Sequence, residues 1–337
     1  MNATMSLENT KHYPVMLNQV LSIISPQHGG TFVDCTFGGG GYSKAILKHP
    51  NTKVLALDRD NFVKKYATTL EKKYPDRFSF FQKKFSELDK IIKTSEAPKS
   101  IIFDLGLSTF QLYDKERGFS FNSKDSVNME MGINKYSAYD VINNLDKKHL
   151  AKIIKIFGEE KDGNKIANKI NQYRNNKPIK TSEELASIIN KVKKNYNIYK
   201  KNPATKTFQA IRIFVNQELT ELIIGLILAS QILPANGTLV VISFHSLEDK
   251  IVKDFFNFYS DLNKNPSRYL PLKKKKNGLF KISSKKPLVP TNEEIVENTK
   301  SRSAKLRYAV RNNNSFLNLD EFKKNYKSYF EMDEITL

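Results

Sequence analysis

The run Thr31-Phe-Val-Asp-Cys-Thr-Phe37, followed by four consecutive glycines (Gly38 to Gly41) and a helical pattern from Ser43 through Leu47, constrains this chain more than any other feature. The first segment reads as a buried strand. The glycines allow a tight turn that brings backbone close to a ligand, and the helix then returns along the sheet. A second apolar strand, Val54-Leu-Ala-Leu57, ends on Asp58 at about the 20-residue spacing at which an acid meets ribose hydroxyls. A plain structural turn would produce the same local pattern. The third glycine of the dinucleotide fingerprint is absent, since Ser43 occupies its place, and this disfavours a nicotinamide or flavin cofactor.

Strand candidates continue at Phe78–Gln82, Ser100–Leu105 and Gly237–Phe244, with helices at Asn61–Tyr74 and Ser246–Phe256. This alternation predicts an α/β fold with a mostly parallel, Rossmann-like sheet and helices on both faces. Weaker strands at Leu279–Ile282 and Ala304–Val310 can close the sheet edge. From Gln111 to Asn216 no apolar strand is legible and the pattern is helical. Ser137 is placed to cap Ala138–Asn144, and Thr181 with Glu184 forms a capping box before Leu185–Val192. Ala204–Leu233 also reads as helical. The expected organisation is a core in residues 1–110, an inserted all-helical substrate-recognition domain in 111–216, and the rest of the core, with its edge strands, in 217–337.

With 55 Lys and Arg against 35 Asp and Glu, the net charge of +20 favours polyanionic partners, above all nucleic acid. A general Lys- and Asn-rich bias would give the same balance. Cys35 alone excludes an internal disulfide and a cysteine metal cage, and no protein metal site is legible. Met1 to Thr10 lacks the pattern of a secretory signal, and the apolar run Leu222–Leu233 is shorter than the roughly 20 residues of a membrane span. The expectation is a cytoplasmic protein with no membrane partner.

Asp104 closes the fourth strand in Phe103-Asp-Leu-Gly-Leu-Ser108, at the edge where open α/β sheets bind ligands. There it can accept hydrogen bonds from an exocyclic amine, or cap the following turn. His245, in Ser243-Phe-His-Ser-Leu-Glu-Asp249, ends the fifth strand and is a pocket candidate, while Ser246 with Asp249 reads as a helix start. Two helical-region segments, Glu116 to Asn122 and Pro203 to Arg212, interleave aromatic and basic residues, which suits stacking on unpaired bases and holding phosphates. Arg117, Phe119, Lys206 and Arg212 are the candidates; the alternative is that the Phe residues are core.

Taken in order, His12-Tyr-Pro-Val15, Asp34 to Ser43, Leu57-Asp-Arg-Asp60, Phe103-Asp-Leu-Gly106, Arg117-Gly-Phe-Ser-Phe121, Pro203 to Arg212 and Ile242 to Asp249 resemble the bacterial small-subunit ribosomal RNA methyltransferases that make N4-methylcytidine. The likeness runs from His12 to about Val310 and includes Ser303-Ala-Lys-Leu-Arg307. It implies a class I S-adenosylmethionine-dependent methyltransferase fold with an inserted helical domain. It also implies S-adenosyl-L-methionine as cofactor and 16S rRNA of the small ribosomal subunit, not DNA, as partner. By matching motifs, the cofactor residues are Gly40, Gly41, Tyr42, Asp58, Phe85, Asp104 and Gln111, with Asp104 also the catalytic candidate.

The sequence departs from that family at Tyr42, where His is usual, and at Ser108-Thr-Phe-Gln111, where Ser-Ser-Pro-Gln is usual. It departs again at Asn128-Met-Glu-Met-Gly132, where the family reads Asp-Met-Arg-Met-Asp. That last change motivates a second reading, an RNA-binding assembly factor with weakened catalysis. A third is the same amine chemistry on another nucleic acid.

Overall fold

The computed structural model describes residues 14–92, 97–193, 202–260, 278–315 and 319–337. His12, Tyr13 and the basic run Lys273–Lys276 lie outside the described residues. Seven strands form one sheet: β1 (Gly30–Asp34), β2 (Thr52–Asp58), β3 (Phe78–Gln82), β4 (Ser100–Asp104), β5 (Thr238–Ser243), β6 (Phe280–Ile282) and β7 (Lys305–Arg311). Their order is β3-β2-β1-β4-β5-β7-β6. The first five strands run parallel, whereas β7 is antiparallel to both β5 and β6. This mostly parallel, doubly wound sheet has the class I methyltransferase architecture. The central strands β1, β2, β4 and β5 were legible because runs buried on both faces are largely apolar, whereas β3, β6 and β7 are only partly buried.

The chain forms two compact units. The sheet unit comprises Met1–Gly106 and Gly225–Leu317, and the other comprises Leu107–Ile224 and Asn318–Leu337. In the sheet unit, helices Leu17–Ile24, Gly41–Leu47, Lys64–Lys73 and Ser246–Phe258 accompany the strands. The core gathers Phe32, Phe37, Ile46, Val54, Phe78, Ile102, Val240 and Leu306, all buried. Asp249 ties helix Ser246–Phe258 to β7 through Arg307 (2.7 Å) and Lys305 (3.0 Å). Asp249 therefore does not close that helix's N-terminus. His245 is the cap, its Nδ1 accepting from the Glu248 N–H, so the start lies one residue before the Ser246–Asp249 pair that the sequence favoured.

The second unit is helical: Thr109–Tyr113, Ala138–Asn144, Lys147–Gly158, Gly163–Arg174, Ser182–Val192 and Thr205–Asn216, with Leu319–Lys324 and Lys327–Asp333 from the C-terminus. Ser137 caps its helix as expected, accepting from the Asp140 N–H. Thr181 accepts from the Glu184 N–H, but the Glu184 carboxylate turns to the Lys180 N–H, so the box is not reciprocal. The continuous helix expected over 204–233 is broken. Gln217 takes a left-handed conformation (φ 53°), ending Thr205–Asn216 before Glu218–Ile232 begins, and the boundary between the units falls along that second helix. The core expected over 217–337 also loses its last residues to the helical unit. Tyr329 packs its ring against Phe157 (centroids 5.6 Å apart), and the Thr220 hydroxyl donates to Asp333. No single helix among the described residues is long and apolar enough to cross a membrane.

The glycine turn is anchored from inside the sheet. Asp34 is fully buried, accepts from the Ser43 hydroxyl (2.6 Å) and from the Thr36 N–H (3.2 Å), and joins the end of β1 to the first turn of helix Gly41–Leu47. Removing the hydroxyl with Ser43→Ala leaves a buried carboxyl short of a donor. We expect a loss of about 1–3 kcal/mol in unfolding free energy, read from urea melts; an unchanged midpoint would mean that Asp34 does not depend on Ser43.

Candidate active site

Three adjacent parallel strands, β2, β1 and β4, each end on aspartate: Asp58, Asp34 and Asp104. Parallel pairing places them along one edge of the sheet, where such folds bind ligands. Asp58 accepts on both oxygens, its Oδ2 from the Gly38 N–H (2.8 Å) and its Oδ1 from the Asp60 N–H (2.9 Å). Burial pushes its pKa up to about 6 despite those two bonds. The carboxylate thereby fixes the glycine turn.

Asp104 is held differently. Its backbone N–H donates to the Thr36 hydroxyl (2.8 Å), while its Oδ1 is buried without a hydrogen-bond partner. Burial raises its pKa well above the ordinary carboxylate value; the negative charges of Asp34, Glu248 and Glu294 push the same way, and the nearby Tyr42 hydroxyl opposes them. Glu294 arrives from helix Asn292–Glu297, fixed by the Met16 N–H (2.5 Å). Glu248 accepts from the N–H groups of Phe244 (2.8 Å) and His245 (3.2 Å). A buried acceptor among like charges is costly unless something cationic or protic meets it.

Around these acids the remaining predicted residues of the sheet unit take up positions. Gly40 has φ 75°, and a side chain there would strike the Phe37 ring at 2.8 Å, so only glycine completes the turn. Gly41 opens the helix, and the Tyr42 side chain is buried beneath it, its hydroxyl donating to the Val15 carbonyl. Any contact Tyr42 makes with a ligand at the turn therefore passes through its backbone. Phe85 begins the single-turn helix after β3 and stands edge-on to Phe103 (centroids 5.1 Å, planes at 90°). Cys35 is buried, and burial with the Asp34 charge raises its thiol pKa well above the ordinary value, which suits a structural group and not a nucleophile. Glu248, Glu294 and Thr36 were missed from the sequence, because contacts across so many residues leave no local spacing signal.

Comparison with known proteins gives the fold a lineage. The model of the MraW methylase family matches residues 9–312. The chain belongs to that family. Among its relatives are proteins named Ribosomal RNA small subunit methyltransferase H. The one from Orientia tsutsugamushi (strain Ikeda) is 42% identical over 310 residues, covering 90% of this chain and 99% of that protein. The one from Wolbachia sp. subsp. Drosophila simulans is 44% identical over 299 residues (88% and 97%), and the one from Sulfurihydrogenibium sp. is 42% identical over 312 residues (89% and 99%).

Within the helical unit the predicted residues are held by neighbouring groups. Gln111 is buried and its Oε1 accepts from the Ser108 N–H (2.9 Å), closing a capping box. Arg212 donates from Nε and Nη2 to the two carboxylate oxygens of Glu218, both at 2.7 Å, across the bend at Gln217. Lys206 donates to the Glu159 carbonyl (2.9 Å), and Phe119 is buried. Arg117 donates to the Glu130 carbonyl (2.5 Å) and lies over the Phe119 ring. Arg117, Phe119, Lys206 and Arg212 thus each have a structural contact within the unit, and Lys206 is also exposed.

The divergent 128–132 loop is likewise pinned internally. Asn216 donates to the Met129 carbonyl and accepts from the Met131 N–H (both 2.8 Å), and Met129 and Met131 are buried. Gly132, with φ 108°, needs to be glycine.

A raised Asp58 pKa fixes the sign of a pH effect. Between about pH 4 and 6 the folded chain holds a proton that the unfolded chain has released, so stability falls as pH rises through that window. Urea unfolding from pH 4 to 7 should show a shallower fall for Asp58→Asn than for the wild type. Identical slopes would place Asp58 at an ordinary carboxylate pKa.

Proposed function

We propose that this chain transfers the methyl group of S-adenosyl-L-methionine to the exocyclic N4 of a specific cytidine in the decoding region of 16S rRNA, giving N4-methylcytidine. The small ribosomal subunit is its partner and the cytoplasm its compartment. The observation that carries the reading is the buried, unpartnered Asp104 Oδ1 among Asp34, Glu248 and Glu294 at the strand ends. A cationic cofactor with a ribose fits this donor and acceptor set: Asp58 accepts from the diol, and the crowded carboxylates favour positive charge. The rRNA substrate follows from the names borne by relatives across nearly the whole chain, and the net charge of +20 agrees with it.

When bound, S-adenosylmethionine supplies a methyl group on an electrophilic sulfonium. The turn of Gly40, Gly41 and Tyr42 supports the cofactor through backbone, and Phe85 offers an apolar ring beside it. N4 of cytosine is weakly nucleophilic because its lone pair is delocalised into the ring. Asp104 accepts a hydrogen bond from the amine and turns that lone pair outward. As the new N–C bond forms and the C–S bond breaks, the surplus N4 proton passes to the Asp104 carboxylate. Its raised pKa makes it a better base than a free aspartate. Most of the acceleration comes from holding N4, methyl carbon and sulfur in line. No cysteine adduct is required, in keeping with the buried Cys35.

The test is transfer of labelled methyl from S-adenosylmethionine to small subunits isolated from cells lacking the gene, followed by nucleoside analysis. We expect N4-methylcytidine at one site, and loss of transfer by at least about 100-fold in Asp104→Ala. Near-normal methylation by that variant would remove Asp104 from the mechanism. Label appearing only in duplex DNA, or none at all with cofactor bound, would overturn the assignment.

A further inference from the structure

A second candidate site lies wholly within the helical unit. One stripe of helix Ser182–Val192, at the i, i+3, i+4, i+7, i+8 positions Glu183, Ala186, Ser187, Asn190 and Lys191, faces a hollow of about 440 Å³. The opposite stripe, Leu185, Ile188 and Ile189, is buried in the unit's core. Phe121, Asn122 and Asn202 complete the lining. A helix whose second face is small and amide-bearing, and not charged throughout, presents a shaped surface.

Two details give the hollow its chemistry. The Asn190 Oδ1 is buried and has no hydrogen-bond partner, an unpaired acceptor that folding alone leaves unsatisfied. Phe121 is half-buried, its ring held edge-to-face against buried Phe208 (centroids 4.7 Å, planes at 69°), which fixes an aromatic surface on the wall. An asparagine amide offers an acceptor and a donor side by side. Its complement is a donor next to an acceptor on a base edge, as in N6 with N1 or N7 of adenine, N4 with N3 of cytosine and N3 with O4 of uracil. The volume lies within the range of small-ligand pockets. Lys191, exposed one residue beyond Asn190, can reach a phosphate, whereas Glu183 lies about 12 Å away along the helix.

We propose that this hollow binds one unpaired nucleotide of the RNA, distinct from the base that reacts, with the ring on Phe121, a base N–H on Asn190 Oδ1 and its phosphate near Lys191. This rests on the reading of the chain as an rRNA methyltransferase and adds a second point of grip on the strand. It also assigns a role to the one aromatic of the Arg117-Gly-Phe-Ser-Phe121 motif that is not fully buried.

The test uses the full chain and fluorescent 12-nucleotide oligo(A), oligo(C) and an abasic ribose-phosphate strand at fixed salt. We expect the wild type to bind oligo(A) or oligo(C) about tenfold more tightly than the abasic strand. Asn190→Leu should cut that preference at least about threefold, and Lys191→Glu should weaken all three strands alike. Unfolding midpoints check that the variants fold; Asn190→Asp, which keeps size but presents no donor to a ring lone pair, gives the same prediction if the leucine variant does not. A wild type without preference, or a preference that survives undiminished in the asparagine variants, overturns the proposal. The two readings fail separately. Methyl transfer to small subunits with no effect at Asn190 would sink the hollow alone, whereas an Asn190-dependent preference without any methyl transfer would keep the hollow and sink the enzymatic reading.

Discussion

Three neighbouring parallel strands ending on aspartates, one fully buried and two half-buried, is the constraint on which the rest of the structure turns. Asp34 spends its oxygens inward on Ser43 and Thr36, and so fastens the glycine turn to the sheet. Asp58 grips the same turn from the next strand through the Gly38 N–H. With those two committed to backbone and hydroxyl, Asp104 is left with an oxygen that no protein group meets. Like charges from Glu248 and Glu294 sharpen the mismatch. A protein carrying such an arrangement gives up some stability at this edge, and the deficit is one that a positively charged ligand with a ribose and an amine-bearing base can relieve.

The central strands were legible in the sequence because burial on both faces leaves β1, β2, β4 and β5 largely apolar, and the turns after them carry glycine or acid at the points where the chain must bend. Asp58 and Asp104 were legible for the same reason, as the first polar residues after Leu57 and Phe103. The helix break at Gln217 was not, because a left-handed glutamine leaves no glycine or proline as a mark and the apolar periodicity runs on through it. Nor was the fate of the C-terminal helices, which depends on where Phe157 and Thr220 await Tyr329 and Asp333.

The basic and aromatic residues of the helical unit show where pattern reading reaches its end. Arg212 and Arg117 looked like phosphate ligands by type and spacing, yet Glu218 and the Glu130 carbonyl hold them. Phe119 and Phe121 lie two residues apart in one motif; the first is core and the second walls an open hollow. Only the fold distinguishes them. The Asn128, Glu130 and Gly132 departures lie in a loop whose backbone is clamped by Asn216 and Arg117, so they alter a structural loop whose register those clamps preserve.

The claim that the strand-end carboxylates are poised for a cationic cofactor is tested most directly by the protons that move when it binds. Calorimetric titration of the chain with S-adenosylmethionine near pH 6, in two buffers of different ionisation enthalpy, reads that number. Carboxyls whose pKa burial raises, Asp58 to about 6 and Asp104 well above the ordinary carboxylate value, should ionise further as the cofactor arrives, so net proton release is predicted. Binding heats that are the same in both buffers would mean that no such ionisation occurs, and would contradict the account.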